Sequence, residues 1–337
     1  MTRTLLLCML AALGAHATPA KAADFAADVA RSDGWVGWRV PLVDGARAPC
    51  CYSTRRGVPL EVGCDLDARV GIFGTSDGDP RHDTELAVYA RVVKGRIGDV
   101  RAVGASCPVR GAKPIREIDA VVPARSVELL AAWATEPRSA KADIDSALSA
   151  IAYHAEPAAT RALATLAEPK HAQETREQAL FWLGQARGAD GAGIVEHYAT
   201  TDADPDLREH AIFALSQASG VDAYARILAI SRSDRSDHVR SQALFWMAQM
   251  GDPRAAADIT AAVAGDTSAD VREQAVFALS QLGDDKAEDA LIAILRGTYP
   301  RDAKKQALFW LGQSGSPRAL QALDDVLAKA GAASPSR

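Results

Sequence analysis

The chain has 337 residues, 48% of them hydrophobic, with 38 basic against 43 acidic side chains and a formal net charge of −5. A mildly acidic balance argues against nucleic acid as a partner, because that binding rests on Lys and Arg neutralising phosphates. The length is sufficient for two domains with a proper core.

At the N-terminus, Arg3 precedes an apolar run from Leu5 to Ala17, and Ala20-Lys21-Ala22 precedes Ala23-Asp24. This is the pattern of a secretory signal peptide over residues 1–22, with cleavage expected after Ala22 or alternatively after Ala17. The run of 13 residues is shorter than the roughly 20 that a membrane-spanning helix needs. The competing reading is a buried N-terminal helix. Cleavage would remove Cys8 and take the net charge to −7. The expected product is exported, periplasmic or secreted, with no membrane insertion.

Residues 23–125 read as a small, mostly β domain. Trp35 to Val43, Glu85 to Val93 and Ile97 to Val103 are rich in aromatic and β-branched residues, and Lys94-Gly95-Arg96 joins the last two as a hairpin. Gly74 to Arg81 is turn-like throughout. Cys50, Cys51, Cys64 and Cys107 all fall in this region, and an even count in an oxidising compartment suggests two disulfides. A vicinal Cys50–Cys51 bridge is strained, which leaves one of that pair joined to Cys64 and the other to Cys107. The gaps of 0, 12 and 42 residues lack the paired spacing of a zinc site, and no Cys-x-x-Cys of a redox site occurs. Ser126 to Trp133 reads as a helix within a connecting segment, residues 126–141.

From residue 142 to 331 one block returns every 32 residues: Arg176 to Gln185, Arg208 to Gln217, Arg240 to Gln249, Arg272 to Gln281 and Lys304 to Gln313. A fixed period of this length predicts a solenoid whose units bury their apolar faces by stacking on neighbours. Ala179 and Leu183, with their counterparts, mark the inward direction of a first helix. Gly-Asp-Pro-Arg at 251–254 and Gly-Ser-Pro-Arg at 315–318 punctuate the unit: Gly ends one helix, Asp252 or Ser316 caps the next, and Pro opens it. Ile144 to Ala152 is a sixth, degenerate copy placed to cap the array. Residues 332–337 read as a flexible tail.

Within the block, the residue after Phe alternates as Trp182, Ala214, Trp246, Ala278, Trp310, which suits interdigitated packing. Phe181, Phe213, Phe245, Phe277 and Phe309 point away from the Ala/Leu direction. Gln185, Gln217, Gln249, Gln281 and Gln313 follow four residues later. Gln178, Gln242, Gln274 and Gln306 stand three residues before Phe, with His210 in the second copy. Two readings compete for this ladder. It is an exposed strip for partner recognition, or Phe tucks between adjacent first helices while each Gln bonds a neighbour's Gln. The ladder Arg176, Arg208, Arg240, Arg272 and Lys304, near acidic turns such as Asp206 and Asp270, reads as structural bonding between repeats.

The pattern Asp-x-x-Val/Leu-Arg-x-x-Ala-hydrophobic-x-Ala-Leu-Gly/Ser-x-Leu-Gly-Asp, clearest in Asp270 to Asp284 apart from the first spacing, resembles the short HEAT repeats named after phycobilisome lyase subunits. A Cys-Cys-containing N-terminal region followed by Gln-Ala-Leu-Phe-Trp-Leu-Gly-Gln copies is similar to exported bacterial HEAT-repeat proteins. The resemblance implies a mainly α fold: a right-handed α-solenoid of about six 32-residue hairpins behind a small, disulfide-tied β domain. It implies no established activity. Deoxyhypusine hydroxylase, a HEAT-repeat di-iron enzyme, uses His-Glu pairs, and none of His82, His154, His171, His197, His210 or His238 is followed by Glu. The resulting expectation is a non-catalytic scaffold with no cofactor or metal, binding a protein or peptide. The competing class is an enzyme or enzyme accessory whose chemistry lies in the cysteine domain.

Overall fold

The computed structural model describes residues 24–55, 58–61, 63–68, 72–74, 83–136, 141–283 and 285–332. The expected signal peptide, most of the 74–81 turn and the tail beyond Ala332 lie outside the described residues.

The N-terminal domain opens with α1 (Asp24–Ala30) and β1 (Gly34–Pro41). Next come β2 (Cys50–Arg55), β3 (Val58–Glu61), β4 (Cys64–Asp65), β5 (Ile72–Gly74), β6 (Glu85–Val93), β7 (Arg96–Gly104), β8 (Val109–Arg110) and β9 (Arg116–Ile118). The main sheet runs β7-β6-β1-β9, antiparallel except for the parallel β1/β9 pair. The β6–β7 turn is the expected hairpin, and Lys94 and Gly95 both hold positive φ, 52° and 76°. That is the left-handed pair a tight two-residue hairpin requires.

The sheet is buried on both faces, and the period of two assigns its side chains. Val36, Trp38, Val40, Leu86, Val88 and Ala90 face the helices and join the long core of the molecule. Trp35, Ala87, Tyr89 and Val103 face the other way, onto Cys50, Cys64, Leu66 and Cys107. The disulfides thus lie in a second, smaller core, behind the sheet.

Helix α2 (Pro123–Ala134) is part of the long core rather than a linker: Val127, Leu130 and Trp133 are buried in it. The array follows as six hairpins: α3 (Lys141–Tyr153) with α4 (Pro157–Leu166), α5 (Gln173–Ala186) with α6 (Gly188–Thr201), and α7 (Pro205–Ser216) with α8 (Ala223–Ser233). The last three are α9 (Asp237–Gln249) with α10 (Ala255–Gly265), α11 (Ala269–Leu282) with α12 (Asp285–Arg296), and α13 (Arg301–Ser314) with α14 (Pro317–Ala332). Ala179, Leu183 and their counterparts are fully buried, as the 3.6-residue wheel requires. Gly251 and Gly315 close helices with φ of 66° and 60°. Ser316 caps α14 by accepting from the Ala319 amide. Asp252 differs from expectation: it accepts from Arg254 N, and α10 begins only at Ala255.

The degenerate first copy is not a free-standing cap. Ala147, Leu148 and Ile151 of α3 are fully buried, and α3 packs on α2 and β7, so the β domain itself closes this end. The last block helix is less covered among the described residues. Leu180, Ile212, Leu244 and Val276 are completely buried under the following repeat, whereas Leu308 is 43% exposed. Two glycines at the same block position agree. A Cβ on Gly184 would meet the Ala214 carbonyl oxygen at 2.1 Å, whereas one on Gly312 would meet nothing within 4 Å.

Candidate functional site

Three sets of side chains concentrate polar or chemically distinctive groups. The first is the cysteine cluster. The bridges are Cys50–Cys107 and Cys51–Cys64, so the vicinal pair divides between the two distant partners. Cys50 and Cys51 lie together on β2, Gly104 N bonds the Pro49 carbonyl just before them, and Cys64 N bonds the Pro108 carbonyl just after Cys107, which gathers the four residues. Gly63 has φ of 70°, and a Cβ there would lie 2.5 Å from the Pro108 carbonyl oxygen. Only glycine allows the 63–64 segment to lie this close to 107–108. The sulfurs of Cys64 and Cys107 are consequently 3.8 Å apart although they belong to different bridges.

The second set is a buried polar chain at the seam between the β domain and the array. Trp38 Nε1 on β1 donates to Ser126 Oγ on α2 at 2.8 Å, and Ser126 Oγ lies 2.9 Å from His154 Nε2. His154 Nδ1 is 2.7 Å from the Ala150 carbonyl. A neutral imidazole protonated on Nδ1 satisfies every group: it donates to Ala150 O and accepts the Ser126 hydroxyl proton. Burial pulls the His154 pKa down to about 4, opposed by the Ala150 bond and assisted by the nearby Arg187 charge. Arg187 Nη1 donates to the Ala152 and His154 carbonyls, tying the end of α5 to the end of α3. Val43 N to Tyr153 O and Ala155 N to Pro41 O stitch the same seam through backbone. Neither a lone His nor a lone Ser in sequence signals such a chain.

The third set lies on the block helices. These helices pack on one another along the whole array, whereas the second helices touch each other sparsely. Small residues permit the close approach, such as Gly184 against Ala214. A two-layer stack with one layer more tightly spaced curves toward that layer, so the outward stripe of the block helices forms the inner face.

The inner face carries the expected Phe and Gln residues, in an arrangement that corrects the wheel. The Phe rings are not a strip separate from the Trp positions. Phe181, Phe213, Phe245 and Phe277 are half-buried, as are Trp182, Trp246 and Trp310, and only Phe309 is exposed, at 50%. The rings touch in an unbroken series: Tyr153, Trp182, Phe181, Phe213, Trp246, Phe245, Phe277, Trp310, Phe309. Successive centroids are 4.7 to 6.5 Å apart. Two kinds of junction alternate along it. Phe stacks on Phe with planes 20° and 4° apart between α5 and α7 and between α9 and α11. Phe tilts onto Trp at 4.7 and 5.3 Å between α7 and α9 and between α11 and α13.

Gln178, Gln242, Gln274 and Gln306 are half-buried beside the rings, while Gln185, Gln217, Gln249, Gln281 and Gln313 are exposed. The expected Gln–Gln bonding is not what holds them. Gln306 donates to Glu273 of the previous repeat, and Gln217 and Gln281 donate to the adjacent Ser216 and Ser280. His210 replaces Gln and sets its ring edge-on to Phe213.

The Arg ladder is structural, with partners other than Asp206 and Asp270. Arg176 pairs with Asp202, Arg208 with Asp234, Arg240 with Asp266 and Arg272 with Asp302. Each of the middle two Asp residues also accepts from the backbone amide two residues on, while the Arg reaches the carbonyl of the preceding acidic turn. Arg208 is the most buried of the four and grips both Asp234 oxygens at 2.9 Å. Burial raises the Asp234 pKa, but the Arg208 fork, the Ser236 amide and the Arg235 charge together outweigh it and the net shift is downward.

Two family models match the array: HEAT repeats over residues 224–309 and PBS lyase HEAT-like repeats over 303–329. Among solved structures, the chain is similar to human deoxyhypusine hydroxylase in complex with glycerol. Identity is 19%, over 60% of this chain and 75% of that one, with a TM-score of 0.30. It is similar to Escherichia coli YibA at 19% identity, over 55% and 67%, with a TM-score of 0.37. Against the complex of CpcE and CpcF of phycocyanin lyase from Nostoc, identity is 15% over 65% and 100%, with a TM-score of 0.29. No curated protein matches the chain.

Proposed function

From the premise that this is a HEAT-repeat protein with a disulfide-bonded β domain, we propose that it is an exported, non-catalytic scaffold. Its inner face holds an extended segment of a protein partner. The observation that carries the reading is the continuous aromatic series with its flanking glutamines on consecutive helices. Half-buried ring edges offer apolar contact at little ordering cost, and a glutamine amide supplies both donors and an acceptor for a peptide backbone. Neighbouring helices lie about 8–10 Å apart, and an extended chain rises about 3.3 Å per residue, so each rung serves about three partner residues. Export is supported by the N-terminal pattern of residues 1–22 and by the cysteine usage.

Two measurements test this. Cell fractionation with N-terminal sequencing is expected to find a mature form starting near Ala23 outside the cytoplasm; full-length protein in the cytosol refutes export. Affinity capture from an envelope fraction compares the wild type with the triple variant Gln217→Ala, Gln249→Ala, Gln281→Ala. Exposed substitutions of this kind usually change stability by less than about 0.5 kcal/mol each. The variant is expected to melt normally and lose the partner. A normal melt with undiminished capture moves the binding surface away from the inner face.

A further inference from the structure

Beyond the scaffold reading, and independent of it, we propose that the four cysteines form a thiol–disulfide exchange relay. A reductant acting on the accessible bridge thereby transfers its electrons into the buried one and leaves Cys50 and Cys51 as a vicinal dithiol. Three observations point to this. Cys51 is half-buried, whereas Cys50, Cys64 and Cys107 are buried, so attack from solvent falls on Cys51 Sγ. Attack there expels the Cys64 sulfur, which lies 3.8 Å from Cys107 Sγ of the other bridge. The sulfurs of Cys50, Cys64 and Cys107 all lie within 4.8 Å of one another.

The backbone favours the swap. Cys64 N donates to the Pro108 carbonyl at 2.7 Å, and β4 runs beside β8 with Cys64 opposite Val109. The strand pair thus holds Cys64 beside the chain two residues past Cys107, and with the two sulfurs already 3.8 Å apart, bridging them is mainly a matter of side-chain rotation. Gly63 keeps that approach open.

The exchange balances as follows. One thiolate of a small dithiol attacks Cys51 Sγ, the Cys51–Cys64 bond breaks, and its electron pair leaves on Cys64 as thiolate. The second thiol of the reductant closes on the first, departs as a disulfide, and releases Cys51, which takes a proton. The Cys64 thiolate attacks Cys107 Sγ and the Cys50–Cys107 bond breaks. Cys50 leaves as thiolate and is protonated. Two electrons and two protons have moved from the dithiol to Cys50 and Cys51, and a Cys64–Cys107 bridge remains.

The test uses the full disulfide-bonded chain, limiting dithiothreitol, an acid quench, alkylation and tryptic mapping. Residues 48–55 carry Cys50 and Cys51, 57–69 carry Cys64, and 102–110 carry Cys107. At a steady product ratio, the two-electron-reduced species is expected to carry both labels on 48–55, with 57–69 bridged to 102–110. One label on 48–55 and one on 57–69, with 48–55 still bridged to 102–110, overturns the relay. The variant Cys51→Ser tests the second step without any reductant, because Cys64 starts as a free thiol beside an intact bridge. Label divided between 57–69 and 48–55 supports the relay. Label confined to 57–69 refutes it.

Discussion

The β domain and the helical array bury apolar surface by different means. In the β domain the holding contacts are single and distant in sequence: bridges of 57 and 13 residues' separation, and a sheet whose order departs from chain order. In the array one arrangement recurs: an Arg reaches an Asp 26 or 30 residues on, and a ring meets a ring in the next unit. A break in the first kind has no equivalent contact in a repeated unit beside it. A break in the second leaves the other units with their own neighbours, since a solenoid's stability is a sum of unit and nearest-neighbour terms. The seam at Trp38, Ser126 and His154 is where the two regimes meet.

The strongest challenge to this contrast is Arg208→Ala. It leaves Asp234 buried without its partner, a change that typically costs about 3–5 kcal/mol. Hydrogen exchange is expected to show protection lost in α7 to α9 and kept in β1, β6 and β7. Loss spread evenly over the chain would mean that the array behaves like the β domain.

Acid tests the seam. His154 is neutral when folded, with a pKa of about 4 against about 6.5 unfolded, so the unfolded chain binds the extra proton between those values. Stability from this group is fully present above about pH 6.5 and is lost as pH falls toward 4, by roughly 3 kcal/mol. The melting temperature of the wild type should therefore fall more steeply over that window than that of His154→Gln. Parallel slopes would remove His154 from the linkage.

Trp246→Ala is expected to cost less, about 2 kcal/mol, because its ring is only half-buried and a fully buried Trp costs about 3–5. A thermal melt measures it. An unchanged melting temperature would show that the ring contacts with Phe213 and Phe245 contribute nothing to stacking.

The array was legible because its signals are periodic. Ala179, Leu183, Gly251 and Gly315 each repeat a local rule, and the rule fixes the fold whatever surrounds it. What was less legible concerned reach. Arg208 does bond between repeats, but to Asp234 of the next acidic turn rather than to the nearby Asp206, because its guanidinium extends across the junction rather than along its own helix. The helical wheel gave the Phe direction correctly but treats side chains as spokes. Flat rings on closely spaced helices lie over onto their neighbours, which merged the Phe and Trp positions into one series. The strain of a vicinal bridge limited the pairing to one of Cys50 and Cys51 with each distant partner, and only the three-dimensional structure distinguishes the two. The His154 chain had no sequence signature, since its three side chains come from β1, α2 and the end of α3.

The alternation of Phe–Phe and Phe–Trp junctions gives the array a parity. Its sequence repeats every 32 residues, but its packing repeats every 64. Excising one unit from the middle would set two Trp-bearing or two Ala-bearing helices side by side, leaving a steric clash or a void, whereas excising two adjacent units restores like junctions. Lengthening by duplication after α13–α14 obeys the same arithmetic. A unit added there meets Leu308 and Phe309, and because Trp-bearing units are followed through a Phe–Phe stack by Ala-bearing ones, it should be of the Ala kind. Gain and loss of repeats in such an array is expected to proceed in pairs, with the odd-numbered intermediates the least stable.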